Sequence, residues 1–206
     1  ILYFMLFDPD AAAPRDPRPA QQLFHFAPGI GHLLARTGWD SDAAWFVYNL
    51  GWIAIDHQTA DGNGFSYYRK GEWLTKPAIG YGGEYGDEDP SDDWYYTDSA
   101  HANTLALENE APWVVEPTDY TSQLYFRGSQ WEYVPAGDPT ILALSVAPGY
   151  AYALGDATNL YNSVQNQSMD MRHASRSIIW LAPDLIIAYD RAESATAGRF
   201  KRFWLN

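Results

Sequence analysis

The 206 residues carry 26 acidic side chains against 13 Lys and Arg, for a formal net charge of −13. That balance excludes a non-specific nucleic-acid binder, which needs clustered cations to displace counterions. A composition of 47% hydrophobic and 19% charged residues is that of a folded globular chain, and the absence of cysteine excludes a disulfide framework or a thiolate metal site.

Taken in chain order, residues 1–7, "ILYFMLF", are apolar on all sides and read as the last turns of a helix from an upstream domain. They are too short for a signal core and lack a basic lead. Residues 8–20 follow as a breaker-rich linker holding Pro9, Pro14, Pro17 and Pro19, since proline removes donors and blocks helix. No apolar run approaches the roughly 18 residues of a membrane span, so no membrane span is expected.

From residue 21 to residue 206 the chain is strand-like. "LFHFA", "GHLLARTGW", "AAWFVYNLGWIAI", "FSYYRKGEWLTKP", "NTLALEN", "TSQLYFRG", "TILALSVAPGYAYALG", "RSIIWLAPDLIIAYDRAE" and "RFKRFWLN" are separated by Gly, Pro, Asn and Asp clusters. Lys70–Gly71 marks a tight turn between two short strands, and Ala182–Asp184 the bend of a second hairpin. No long segment keeps a helical period, so the expected fold is all-β, an antiparallel β-sandwich of stacked large sheets. The last strand stops at Asn206, which reads as a domain cut at its C-terminal end.

Two segments resist a strand reading. Residues 80–101 are acidic and Gly-rich and end in aromatics. Residues 156–171, "DATNLYNSVQNQSMDM", are polar, and are expected to be either a functional loop or a solvated excursion.

The chemistry is expected in "DHQTADGNGFSYY", Asp56 to Tyr68. His57 sits where an apolar strand gives way to a polar turn, and an imidazole titrates near neutrality. It is the candidate general base or carboxylate anchor; the structural alternative is a histidine whose ring bonds a turn carbonyl. Asp61 suits Asx-type bonds that tie the loop. Tyr81, Trp94, Tyr95 and Tyr96 lie in loop-like sequence and are candidates for stacking on sugar rings, and His101 closes that loop. Arg36, Arg69, Lys70 and Lys76 could offset substrate carboxylates or be exposed strand charges. Arg176 and Asp190 read as structural, and His25, His32 and His173 have no assigned role. No phosphate-binding, dinucleotide or G-x-S-x-G fingerprint is present, and no pair of carboxylates stands out for a glycosidase.

As an ordered set, "RTGWDSDAAWFVYNLG", "DHQTADGNGFSYYRKGEWL", "HANTLALEN", "GDATNLYN" and "RSIIWLAPDLIIAYDRAE" resemble the all-β domain of the heparinase II/III-like polysaccharide lyases. The linker resembles the join to that family's upstream (α/α) toroid, and the resemblance spans residues 1–206. It implies a lyase cleaving uronate-containing acidic polysaccharides by β-elimination, in a cleft between toroid and β-domain. It further implies a bacterial, secreted or periplasmic setting.

The first His of the family's H-x-H-x-D turn matches His57, while its second His falls on Thr59 and its Asp on Asp61. Members with a structural zinc use that second His, an Asp one hairpin later and the His of an "HNT" motif. Those places read Thr59, Lys76 and His101 here, with Ala102 inserted, so neither zinc nor any other cofactor is expected. The substrate-binding candidates are Tyr81, Trp94, Tyr95 and His101. Without the toroid's acid/base residues the chain alone is expected to be inactive. The rival expectation is a non-catalytic carbohydrate-binding or scaffold domain that kept the fold and lost the chemistry.

Overall fold

The computed structural model describes residues 15–51, 59–77, 98–109, 128–131 and 135–206. Of these, 47% lie in strands and 7% in short helical turns, none of seven residues or more. The all-β sandwich expectation is therefore met.

The first sheet is an antiparallel meander of β1 (Phe24–Ala27), β2 (His32–Arg36), β3 (Trp45–Asn49), β4 (Gly64–Arg69) and β5 (Glu72–Thr75), in that spatial order. β6 (Leu105–Leu107) pairs with the last strand, β11 (Lys201–Phe203). Between them in the chain, β7 (Thr140–Ala147), β8 (Tyr150–Asp156), β9 (Met171–Leu181) and β10 (Leu185–Ser194) form the second sheet in the order β10-β9-β8-β7.

The core lies between the two larger sheets, and the period-2 alternation of each strand explains why. Phe46 and Tyr48 of β3 point inward and are fully buried, as do Ala151 and Ala153 of β8 from the other side. Phe46 stacks on Trp180 of β9 at 5.8 Å between ring centroids. The small residues of β8 let the large ones of β3 approach: a Cβ at Gly155 would collide with the Tyr48 hydroxyl and the Asn63 side chain. Sequence therefore places bulk on β3 where β8 leaves space.

Both predicted hairpin turns form. Lys70 and Gly71 take left-handed φ values of 50° and 89° between β4 and β5, the backbone that two-residue loops require. Residues 182–184 join β9 to β10, and the Pro183 carbonyl there accepts from Tyr67 Oη across the sandwich at 2.5 Å.

Arg176 of β9 is fully buried. Its guanidinium forks onto Asp190 of β10 at 2.7 and 2.9 Å, and Nη1 donates to the carbonyls of Asn63 and Asn103, each at 2.7 Å. One cation thereby fastens the second sheet to the turn before β4 and the turn before β6. This is the structural role read from the sequence.

The polar segment 156–171 is part buried and part exposed, with Leu160 and Tyr161 inside and Val164 and Met169 in solvent. Asp156 accepts from the Thr158 amide and starts a 3-10 turn over Thr158–Tyr161, whose Leu160 and Tyr161 are buried. The Asn162 side chain then pairs with both backbone groups of Met171 at 2.7 and 3.0 Å. Asn162 thereby supplies internal hydrogen bonds, which lets the buried half of a polar loop be satisfied.

Of the expected linker, residues 15–20 are exposed and include a 3-10 turn at Arg18–Ala20. Residues 1–14 and the segments "TSQLYFR" and 80–97 lie outside the described residues. No helix among the described residues is long and apolar enough to cross a membrane.

Candidate functional site

The motif that carries His57 descends from β3 and returns as β4. His57, Tyr81, Trp94, Tyr95 and Tyr96 lie outside the described residues, so the site is built from what holds that motif on either side.

The turn 59–64 is held by buried side chains at Ala60, Gly62 and Asn63. The Ala60 carbonyl accepts from Ser99 Oγ at 2.8 Å. The Gly62 amide donates to Gln130 Oε1 at 2.9 Å, and the Gly62 carbonyl accepts from Gln130 Nε2 at 2.8 Å and Thr104 Oγ1 at 2.7 Å. The Asn63 side chain accepts from the Tyr48 hydroxyl at 2.6 Å and donates to the Gly155 carbonyl at 3.3 Å.

The local sequence "DGNG" suits this arrangement. Asn63 takes a left-handed φ of 64°, which Asn tolerates better than most residues. A Cβ at Gly62 would run into Leu160 and Gln130. The segment after His57 is thus a rigid turn with little room for adjustment.

Asp61 is the loop tie expected of it. Its carboxylate is bonded by the Thr59 side chain, its own amide and the Asn49 side chain, yet burial outweighs those bonds and raises its pKa to about 6. Asn49, the last residue of β3, also bonds the ring of His32 on β2, whose pKa is lowered by partial burial. His32, to which sequence gave no role, therefore belongs to the support beneath the turn.

His101 closes a 3-10 turn at Ser99–His101 that is capped by Asp98. The fully buried Asp98 carboxylate lies 2.7 Å from His101 Nδ1, and the histidine side chain is 25% exposed. A carboxylate only accepts, so the ring turns Nδ1 toward Asp98 and is oriented by it. Through the Ser99–Ala60 bond this turn packs on the segment leading from His57. The turn that ends in His101 and the turn at Ala60, far apart in sequence, are neighbours in space.

The residues at the zinc-matching positions do not suit a metal. The Thr59 hydroxyl is engaged with Asp61 and Lys76 is an exposed cation, so only His101 of the three carries a ligating group. No group of three or more His, Cys, Asp or Glu among the described residues could hold a metal ion, and a structural zinc needs about four such donors.

Sequence reasoning missed Gln130, Ser99, Thr104 and Asp98. Asp98 carried a readable signal, an Asp three residues ahead of His101 and in N-cap position. Gln130 carried none, because its partner lies 68 positions away.

No family model and no curated protein sequence matches the chain. Among solved structures it is similar to a mutant of the heparan sulfate lyase HepC from Pedobacter heparinus, with a TM-score of 0.61 and 14% identity. HepC itself matches at 0.59 and 16%, and a structure titled heparinase III at 0.55 and 12%. The two HepC matches cover 84% of this chain and 22% of theirs; the heparinase III match covers 83% and 22%. The chain thus has the β-fold found in heparinase-like lyases and corresponds to roughly a fifth of their length.

Proposed function

We propose that this chain is the β-domain portion of a polysaccharide lyase that cleaves uronate-containing acidic polysaccharides by β-elimination, with His57 at the reacting uronate. The observation that carries the reading is the turn 59–64. It directly follows His57 and is clamped by Gln130, Ser99 and Thr104. Such rigidity serves a side chain that must meet a reacting atom in one geometry.

Elimination requires three things. The uronate carboxylate is neutralised so that its neighbouring C5 proton becomes acidic, a base removes that proton, and an acid protonates the departing O4. His57 supplies the base or the carboxylate anchor. His101, its ring oriented by Asp98, binds substrate beside it, and Tyr81, Trp94 and Tyr95 stack on the sugar rings. The remaining acid/base groups come from an upstream (α/α) toroid packed against this domain. A secreted or periplasmic bacterial setting fits a polymer substrate.

Thr59 and Lys76, at the zinc-matching positions, favour the second reading, a carbohydrate-binding domain without chemistry. The two readings part in one assay. A polypeptide carrying the helical domain ahead of Ile1 generates the ultraviolet absorbance of an unsaturated uronate from an acidic polysaccharide if the lyase reading holds. Binding without that absorbance selects the second reading.

A further inference from the structure

The outer face of the first sheet carries a row of side chains that neither the core nor the His57 turn uses. Arg36 on β2 lies directly opposite Trp45 on β3, Trp45 opposite Tyr68 on β4, and Tyr68 opposite Trp73 on β5. Ring centroids are 5.2 Å apart for Trp45–Tyr68 and 5.4 Å for Tyr68–Trp73. Trp45 and Trp73 are 38% and 43% exposed. Aromatic rows in a sheet usually earn their place by burial; these rings face solvent instead.

At the head of the row the Arg36 guanidinium is held between two indoles, 3.9 Å from the Trp39 ring and 4.1 Å from the Trp45 ring. Stacking fixes the plane of the cation and leaves its N–H edge for bonding. No hydrogen bond or ion pair engages the Arg36 guanidinium among the described residues, in contrast to those of Arg69, Arg172, Arg176 and Arg199, each of which meets a carboxylate. Partial burial and, secondarily, the nearby Arg18 lower its pKa, so its charge is under-compensated. Arg18 is itself paired with Asp16 at 2.8 Å. Beside Arg36 opens a groove of about 480 Å³ walled by Leu23, Phe24, Leu34 and the two indoles.

We infer that the Arg36–Trp45–Tyr68–Trp73 row is a second saccharide-binding surface that takes an anionic sugar, its carboxylate or sulfate on Arg36 and its pyranose faces on the exposed rings. An oriented, unpaired guanidinium selects an oxyanion. Exposed indole and phenol faces suit the apolar C–H face of a sugar ring better than an extended peptide, which would seek a strand edge. The surface lies at the opposite end of β3 from Asn49 and the His57 turn, so it holds a polymer away from the reacting bond. The inference rests on the acidic-polysaccharide reading for its ligand class, but on none of the His57 chemistry.

The test is binding to the 206-residue chain, followed by tryptophan fluorescence and titration calorimetry. The probes are a galacturonate oligosaccharide, its carboxyl-reduced counterpart, a sulfated neutral oligosaccharide and an oligoglutamate peptide. The uronate oligomer is expected to bind and to perturb the indoles, the reduced one to bind weakly, and added salt to weaken the interaction. Arg36→Gln and Trp45→Ala, each confirmed folded by circular dichroism, should each weaken uronate binding by about tenfold or more. Arg172→Gln, at an exposed cation of β9, should leave it unchanged. Equal binding of the sulfated oligomer would support the same surface and show that it reads charge rather than the carboxylate. No uronate binding, undiminished binding in Arg36→Gln, or a preference for the peptide would overturn the proposal. None of these outcomes would touch the lyase reading, which is decided by product absorbance.

Discussion

Gln130 and Gly62 exchange both of their hydrogen-bonding groups: the Gly62 amide donates to Oε1 at 2.9 Å and its carbonyl accepts from Nε2 at 2.8 Å. The side-chain amide thus acts as a substitute strand partner for a turn that has none. It is also backed from behind, because the Tyr161 hydroxyl lies 3.0 Å from Nε2 and donates to the Leu105 carbonyl at 2.6 Å. Gln130→Ala strands the buried Gly62 amide and should cost about 2–3 kcal/mol of stability. Gln130→Glu puts an acceptor where a donor is needed and should be no better at neutral pH. Urea unfolding measures both, and a loss below about 0.5 kcal/mol for either would mean that the turn holds itself.

Arg176 is the other fixed point. Arg176→Met leaves the Asp190 carboxylate and the Asn63 and Asn103 carbonyls without their donor and should cost about 3–5 kcal/mol. Arg176→Lys keeps the charge but cannot make the fork, so it should recover little. Thermal unfolding of Arg176→Lys close to that of the parent would contradict the four-bond account.

Much of the fold was legible because its signals are local. Alternating burial along β3 and β8, the Lys70–Gly71 turn and the bend at residues 182–184 each depend on a few adjacent residues. The segment 156–171 misled because its Asn162 looks solvated in sequence, while its partners at Met171 only become visible once the loop closes. Around the candidate site, Asp61 was read as a tie from its neighbours, and Asp98 could have been. Gln130 and Arg176 act across tens of residues, and nothing near them in the chain records the turn they serve.

Asp61 makes stability depend on pH in a defined direction. Its pKa of about 6 in the folded protein lies above its ordinary 3.8, so the folded state keeps a proton that the unfolded chain has released. The stability this contributes is fully present below about pH 4 and is lost as pH rises through about 6. Asp61→Asn should abolish that loss and be more stable than the parent near pH 7 by roughly 1–3 kcal/mol. Asp184, held below its ordinary range by a hydrogen bond from Arg69, acts in the opposite sense. The comparison is therefore between variant and parent at each pH. A variant that is less stable than the parent near pH 7 would show the ionised carboxylate to be a net stabiliser of the turn.

The reading of this chain as part of a lyase turns on His57. The direct measurement is turnover of an acidic polysaccharide by a polypeptide that includes the proposed upstream helical domain, with His57→Ala and His57→Gln beside the parent. A positioned general base contributes about 10²–10⁴-fold, so the Ala variant should lose turnover by that factor while its melting temperature stays within about 2 °C of the parent. Activity kept in Gln but lost in Ala would assign His57 to carboxylate recognition; loss in both would assign it to proton transfer. An Ala variant that retains full turnover but melts well below the parent would make His57 a structural residue and contradict the account.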